Sequence, residues 1–352
     1  MKKLKKQSML VLIALLGISM FFVSSCDDDD DDDIVNKTAL MAKITEADNL
    51  VANSVEGTAA GQFEYGSIAE LQGVIDIAQG VYDNEASTQA EVSNSIVSLT
   101  NAMDLFNTKV IAAIAPDDLV GQWTFDEGTG TTVADYSGNE LLTGTFGNEA
   151  GFGTGQPTWT TDRYGNEGKA IAFNEGAKIT VPYNASINPK QITIALWINA
   201  AGVRESNRFM GLQSWNGYKF QLQSANIPFF TASTDDACCY DKDCTVPLDI
   251  LKWYHIAVTF GGNEMTFYIN GAPIKVWDDV EGDLVKVTGH DLVFGVGSSK
   301  YAATTENYDN DHIIPLEWGG YFNGSLDEIR MYKTVLTPNQ IATIYNREKV
   351  QD

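Results

Sequence analysis

The chain is poor in cysteine, in histidine and in positive charge. Of its 352 residues four are Cys and three are His, and 23 Lys and Arg stand against 47 Asp and Glu, for a formal net charge of −24. Such an acidic balance repels nucleic-acid phosphates and anionic membrane surfaces. Lys and Arg are scattered, so polyanionic ligands fit poorly and neutral glycans fit better. No phosphate-cradling glycine loop, no G-x-S-x-G elbow and no EF-hand spacing occurs. His290 and His312 sit apart in turn-rich segments without a nucleophile pattern nearby. What remains is globular: a hydrophobic fraction of 44% and an aromatic fraction of 11% match packed cores rather than disorder. The length suffices for two domains.

The N-terminus is organised for export. Lys2, Lys3, Lys5 and Lys6 precede an apolar run from Met9 to Val23, the n-region and h-region of a secretory signal. The run falls short of the roughly 20 apolar residues that span a membrane. Val23-Ser24-Ser25-Cys26 resembles the bacterial lipobox. The resemblance implies cleavage before Cys26 and acylation of its thiol, with residues 1–25 as leader and 26–36 as a lipidated tether. Asp27 to Asp33 form an unbroken acidic run that repels itself and stays solvated. Directly after a lipidated Cys, this run resembles the surface-export signal of Bacteroidetes lipoproteins. It implies the cell surface at the outer membrane, with membrane contact through the lipid anchor alone. Loss of the four Lys brings the mature chain near −28.

Cys238, Cys239 and Cys244 lie in DDACCYDKDCTV. An exported location permits disulfides. Cys244 is expected to pair with Cys239 or with its neighbour Cys238, closing a small loop and leaving one thiol. A zinc site lacks ligands, since no His is near.

Residues 37–112 carry a helical apolar period. Leu40, Ile44, Ala47 and Val51 form one stripe. Ile68, Leu71, Ile75, Ala78 and Tyr82 form a second, and Val92, Ile96, Leu99, Met103 and Phe106 a third. Ser67 with Glu70 and Thr88 with Glu91 fit capping boxes. Three such stripes predict a three-helix bundle. GTAAGQFEYGSIAEL with TQAEVSNSIVSLTNAMDLF resembles the small helical modules called FIVAR, which occur beside glycan-active domains; with no chemistry-bearing cluster on the stripes, a spacer role is the preferred reading. Pro116, in the short stretch Ile111 to Asp117, marks the domain boundary.

Over residues 118–348 the period changes to two, with Gly and Asn punctuation that predicts an all-β sandwich. The clearest strands are 119–126, 177–181, 191–199, 218–223, 252–260, 264–270, 291–296 and 325–332. Asn270-Gly271 is a hairpin turn. Thr337, Pro338 and Gln340 open a closing helix with Ile341, Ile344 and Tyr345 on its apolar face. LVGQWTFDEGTGTTVADYSGN, ITIALWINA, KWYHIAVTFGGNEMTFYINGAPI, LVFGVGSS and FNGSLDEIRMYKTVLTPNQIATIYN occur in the order seen in laminin-G-like, concanavalin A-like jelly rolls. The resemblance spans Leu119 to about Arg347. The expected whole is thus multidomain α + β: an N-terminal three-helix bundle, then an all-β concanavalin A-like jelly roll. A fold of this kind does not decide function.

Candidate ligand residues come from two places. Strand alternation puts Trp197, Trp253, His255, Tyr268, Lys219, Gln221 and Gln223 on outward faces, and one shared sheet would gather them. Aromatic rings stack on sugar C–H faces while amides meet hydroxyls. Packing beneath another segment is the competing role for Trp197, Trp253 and His255, and His255 reads as a hydrogen-bonded structural residue. The second place is the loop rim: Trp215, Trp277, Trp318 and Tyr321, with Tyr301 and Tyr308 in the long polar stretch 298–320. Trp215 and Trp318 lead this group. By resemblance to similar jelly rolls, Asp126 and Asp327 meet at strand ends and hold a structural calcium. Asp135 with Asn139 is the second pair, with an Asx turn as its alternative.

Glycosidases need two carboxylates flanking the scissile bond. In this fold they share one strand, as Glu-x-Asp-x-Glu or a longer variant, and no strand here has that pattern; Asp327 and Glu328 point to opposite faces. The expectation is therefore a non-catalytic surface lipoprotein that captures a polysaccharide or oligosaccharide beside a surface transporter or glycosidases. An adhesion or scaffold protein with a protein partner is the alternative, and a divergent lyase or hydrolase comes third.

Overall fold

In a computed structural model, the structure describes residues 35–350 except 58, 112, 139–140 and 308–312. The leader, Cys26, the acidic run, Asn139, Tyr308 and His312 lie outside the described residues. No helix among the described residues is long and apolar enough to cross a membrane.

Helices α1 (Thr38–Ala52), α2 (Ser67–Asp83) and α3 (Gln89–Thr108) form the expected bundle. Leu40, Ile44, Leu71, Ile75, Val92, Leu99 and Phe106 are buried together, as the three stripes require. Thr88 and Glu91 complete a reciprocal capping box at α3. Ser67 and Glu70 do not. Gly66 caps α2 in a left-handed conformation, and the Ser67 hydroxyl donates to the Glu64 carbonyl from inside the helix. The cap lies one residue earlier than the capping-box pattern places it.

Two eight-stranded antiparallel sheets pack face to face in the jelly roll. The first runs Ala272–Trp277, Glu264–Ile269, Tyr254–Gly261, Ile192–Ala200, Gly324–Tyr332, Ala170–Phe173 and Thr158–Thr160, and Leu119–Trp123 also pairs with Gly324–Tyr332. The second runs Tyr240–Asp243, Ile227–Ala232, Tyr218–Gln223, Asn207–Leu212, Leu292–Phe294, Ala177–Val181, Gly144–Asn148 and Thr132–Val133. Between them lies one apolar core. Ile192, Ile194, Leu196 and Ile198 enter it from one side; Tyr218, Phe220 and Leu222 enter from the other. These alternate along each strand with the residues assigned to outward faces.

The outward residues divide differently from the sequence expectation. Tyr254–Gly261 pairs with Ile192–Ala200, whereas Tyr218–Gln223 pairs with Asn207–Leu212 and Ile227–Ala232. Trp197 and His255 therefore share the first sheet, while Lys219 and Gln221 stand on the outer face of the second. Alternation sorts faces within a strand and carries no information on which sheet the strand joins.

Helix α4 (Pro338–Glu348), opened by a Thr337–Gln340 capping box, covers the outer face of the first sheet. Its Ile341 and Ile344 pack with Leu336 on Ala195, Ala257 and Tyr268. The Thr193 hydroxyl donates to the Thr334 carbonyl and accepts from the Leu336 amide, which fixes the approach to the helix.

Candidate functional site

Residues beneath α4 are closed. The Trp197 indole N–H donates to Glu348 Oε2 at 2.9 Å and its ring stacks on Tyr345 at 5.8 Å. Tyr268 is buried among the α4 contacts, so neither ring is open to a ligand. Both were expected as ligand-binding residues; the closing helix overturns that for Trp197 and Tyr268. Trp253 lies just before the strand Tyr254–Gly261 and is half-buried. His255 is fully buried, and burial, with Arg330 and Arg163 nearby, lowers its pKa to about 3. The hydrogen bonds expected for it are not there: neither ring nitrogen has a partner among the described residues.

A charged network joins α4 to the same face. Arg163 pairs with Asp327, Arg330 pairs with Glu348, and Arg163 Nε donates to the Glu348 carbonyl at 2.6 Å. Burial raises Asp327 to about 8 and Glu348 to about 7, against the opposing pull of those arginines. Perturbed carboxylates can mark acid–base chemistry. Here both are held by guanidinium groups beneath a helix.

Calcium takes six to eight oxygen ligands. Asp327 is taken by Arg163, and exposed Asp126 lies 3.6 Å from the Lys169 ammonium. Cations stand beside both carboxylates. No group of three or more His, Cys, Asp or Glu able to hold a metal occurs among the described residues. The Asp126–Asp327 pair does not fit a calcium site. Asp135 accepts from the Gln122 amide and from the amide and hydroxyl of Ser137, and so serves as a turn-forming residue.

The outer face of the second sheet is different. Cross-strand register places Gly211, Lys219, Thr231 and Asp241 in one row, and Arg208, Gln221, Phe229 and Asp243 in the next. Lys219 donates to the Thr231 hydroxyl, which donates in turn to Asp241, and the Lys219 and Asp241 charges are 3.8 Å apart. Lys219 is 1% exposed, Arg208 3% and Gln221 6%. Burial, reinforced by the neighbouring Arg208 charge, lowers Lys219 to about 7 in spite of Asp241. Burial also lowers the Arg208 pKa.

Trp215 lies across these cations on the short turn Ser214–Asn216. Its ring is 4.7 Å from Arg208 Cζ and 4.7 Å from Lys219 Nζ, within cation–π range. Trp318, from the turn Leu316–Trp318, meets Trp215 edge to face with centroids 6.3 Å apart and is 45% exposed. Tyr321 and Tyr301 flank this rim, both against Phe152 at 6.1 and 5.3 Å. The Arg204 guanidinium covers Tyr321 at 3.7 Å. Gly297 makes room for the cluster, since a Cβ there would lie 2.9 Å from Arg208 Cδ. Several buried polar atoms have no hydrogen-bond partner among the described residues. They include Arg208 Nε and Nη1 and Gln221 Oε1. Unpaired buried groups of this kind are uncommon and need a reason.

Cys238 and Cys239 pair with each other, and both sulfurs contact the Trp215 carbonyl oxygen, at 3.5 and 3.3 Å. The expected Cys239–Cys244 bridge does not form. Cys244 points into the sandwich core as a buried thiol, out of reach of the surface turn. Trp277 is fixed elsewhere, donating to the Asp243 carbonyl at 2.9 Å.

Of the residues singled out from the sequence, Trp215, Trp318, Lys219 and Gln221 come together at this face with Tyr321 at its rim. Arg208, Phe229, Thr231 and Asp241 were not among them. The one available sign was charge within apolar alternation: Arg208 in NRFMGL and Lys219 in YKFQLQ occupy positions that a solvent-facing strand would expose and this sheet buries.

Residues 173–342 match the family model described as the concanavalin A-like lectin/glucanases superfamily. The sandwich itself begins earlier, because Leu119–Trp123 pairs with the strand Gly324–Tyr332. Among curated proteins, a surface-layer 125 kDa protein from Lysinibacillus sphaericus is 34% identical over 110 residues, covering 30% of this chain and 9% of that protein. The chain thus spans under a tenth of the curated relative it matches. Domain 4 of AbnA, a GH43 extracellular arabinanase from Geobacillus stearothermophilus solved with arabinotriose, is 19% identical with a TM-score of 0.49, covering 65% of this chain and 98% of that one. The binding domain of Paraclostridial mosquitocidal protein 1 is 17% identical with a TM-score of 0.46, covering 66% and 52%.

Proposed function

We propose that this protein binds carbohydrate without altering it, capturing a polysaccharide or oligosaccharide on the outer face of the second sheet. The observation that carries this reading is the Trp215 ring set over buried Arg208 and Lys219, with Trp318 perpendicular to it and with hydrogen-bonding capacity left unused at Arg208 and at its cross-strand neighbour Gln221. Indoles supply stacking area for sugar C–H faces, and polar groups beside them fix hydroxyls. The lectin/glucanase domain model supports a saccharide as the ligand class. A binding role fits the carboxylates too, since Asp327 and Glu348, whose pKa values burial raises, are buried and paired with Arg163 and Arg330 where the end of α4 meets the sheet.

The proposal extends to the cell. Acylated Cys26 holds the chain at the outer-membrane surface, the helical bundle lifts the jelly roll outward, and the bound glycan passes to a surface transporter or glycosidases. Single sites of this size bind weakly, and display of many copies raises avidity without new contacts.

Affinity electrophoresis through polysaccharide-containing gels tests the site. Trp215→Ala and Trp318→Ala should each reduce retardation about tenfold or more, a loss of roughly 1.4 kcal/mol or greater. Trp197→Ala, beneath α4, should leave it unchanged. Equal retention by both rim variants would remove the site, and a protein partner would then replace the glycan.

A further inference from the structure

We infer that the saccharide taken by this site carries a carboxylate, as a uronic acid or another acidic sugar does; the inference rests on the glycan-binding reading above. The chain's large negative charge argues for neutral sugars, but register brings together two cations that the sequence keeps apart. They differ in one respect. Lys219 has its counter-ion, since it reaches Asp241 through Thr231 and directly at 3.8 Å. Arg208 has no carboxylate within ion-pair distance among the described residues; the Tyr301 hydroxyl and, from farther off, Asp241 favour its charge, yet Nε and Nη1 have no hydrogen-bond partner there.

A buried guanidinium whose carboxylate neighbour, Asp241, stands beyond ion-pair distance and is already held by Lys219 is costly. A neutral sugar hydroxyl relieves the missing hydrogen bonds only. A carboxylate relieves the charge as well, and guanidinium–carboxylate hydrogen bonds are roughly twice as strong as neutral ones. Gln221, the cross-strand partner of Arg208, offers an unused carbonyl oxygen to a hydroxyl next to that carboxylate. Phe229, also in the Arg208 row, and Trp215 border the same ground with apolar faces. Long-range repulsion by the acidic chain is screened beyond about 8 Å at physiological ionic strength, so the local cation governs contact.

Trp215 lies across both cations, and Trp318 lies edge-on to Trp215. A carboxylate at Arg208 would stand beside the Trp215 ring, so binding should alter tryptophan fluorescence.

The test uses the full-length chain and matched probes: polygalacturonate, alginate and hyaluronan, each native and carboxyl-reduced to its neutral form. Titration calorimetry and tryptophan fluorescence should show at least one native polymer bound tenfold or more tighter than its reduced form. That preference should vanish in Arg208→Gln and return in part in Arg208→Lys. If reduced polymers bind as tightly as native ones while Trp215→Ala abolishes binding, the acidic-sugar inference falls and glycan binding stands. If no form binds, the acidic-sugar inference falls, and the glycan-binding reading falls with it only if a glycan array also retains no saccharide. Should Arg208→Gln fail to fold, the native-against-reduced comparison on the unaltered chain decides alone.

Discussion

Replacing Arg208 by Met should stabilise the sandwich while it weakens binding. The Arg208 side chain is buried, Nε and Nη1 have no acceptor among the described residues, and burial already lowers its pKa. Buried donors without partners cost about 1–3 kcal/mol. The cation–π contact with Trp215 at 4.7 Å returns about 0.5–2 kcal/mol. Met fills similar length and regains about 0.3–1.5 kcal/mol from sulfur–aromatic contact. The net gain is about 1 kcal/mol, which raises the unfolding midpoint by roughly 2–4 °C for a sandwich of this size. Lys219, freed from a like charge, should also titrate above its present value of about 7. Differential scanning calorimetry and glycan affinity on the same preparation give both readouts. A fall in midpoint of a degree or more would refute the reasoning, because it would make Arg208 a residue that holds the fold together rather than one held ready for a ligand.

Other consequences follow from the same contacts. Trp197→Ala should cost about 3–5 kcal/mol of stability, as large-to-small core changes do, with glycan affinity intact; urea unfolding and affinity gels read the two effects. His255 should remain neutral down to about pH 3 in an NMR titration. Its pKa is depressed, so the unfolded chain binds more protons between about pH 6.5 and 3, and stability present in full above 6.5 is lost as pH falls through that window; an imidazole titrating near 6.5 would contradict its burial. Reducing the Cys238–Cys239 bridge, or Cys238→Ser, should loosen the Trp215 turn that both sulfurs touch and weaken binding several-fold, whereas Cys244→Ser should affect stability alone.

Much of the architecture was legible because periodicity is a local property. The three stripes of the bundle, the inward residues of strands 192–200 and 218–223, and the Thr337–Gln340 cap all emerge as the pattern predicts. Sheet membership is not local. Trp197 and Lys219 read alike as outward residues, yet strand pairing puts one under α4 and the other under Trp215. The disulfide escaped for a related reason. Cys239 and Cys244 are close in sequence, but the strand Tyr240–Asp243 separates a surface turn from a core position. Arg208 was hidden because its meaning depends on two neighbouring strands and on a ring from the turn that follows.

A glycan array probed with the full-length chain and with the Trp215→Ala, Trp318→Ala double variant bears most directly on the central claim. The account predicts that the unaltered chain retains a defined set of saccharides and that the double variant retains none of them. Retention that survives loss of both indoles, or an unaltered chain that binds no saccharide, would contradict it.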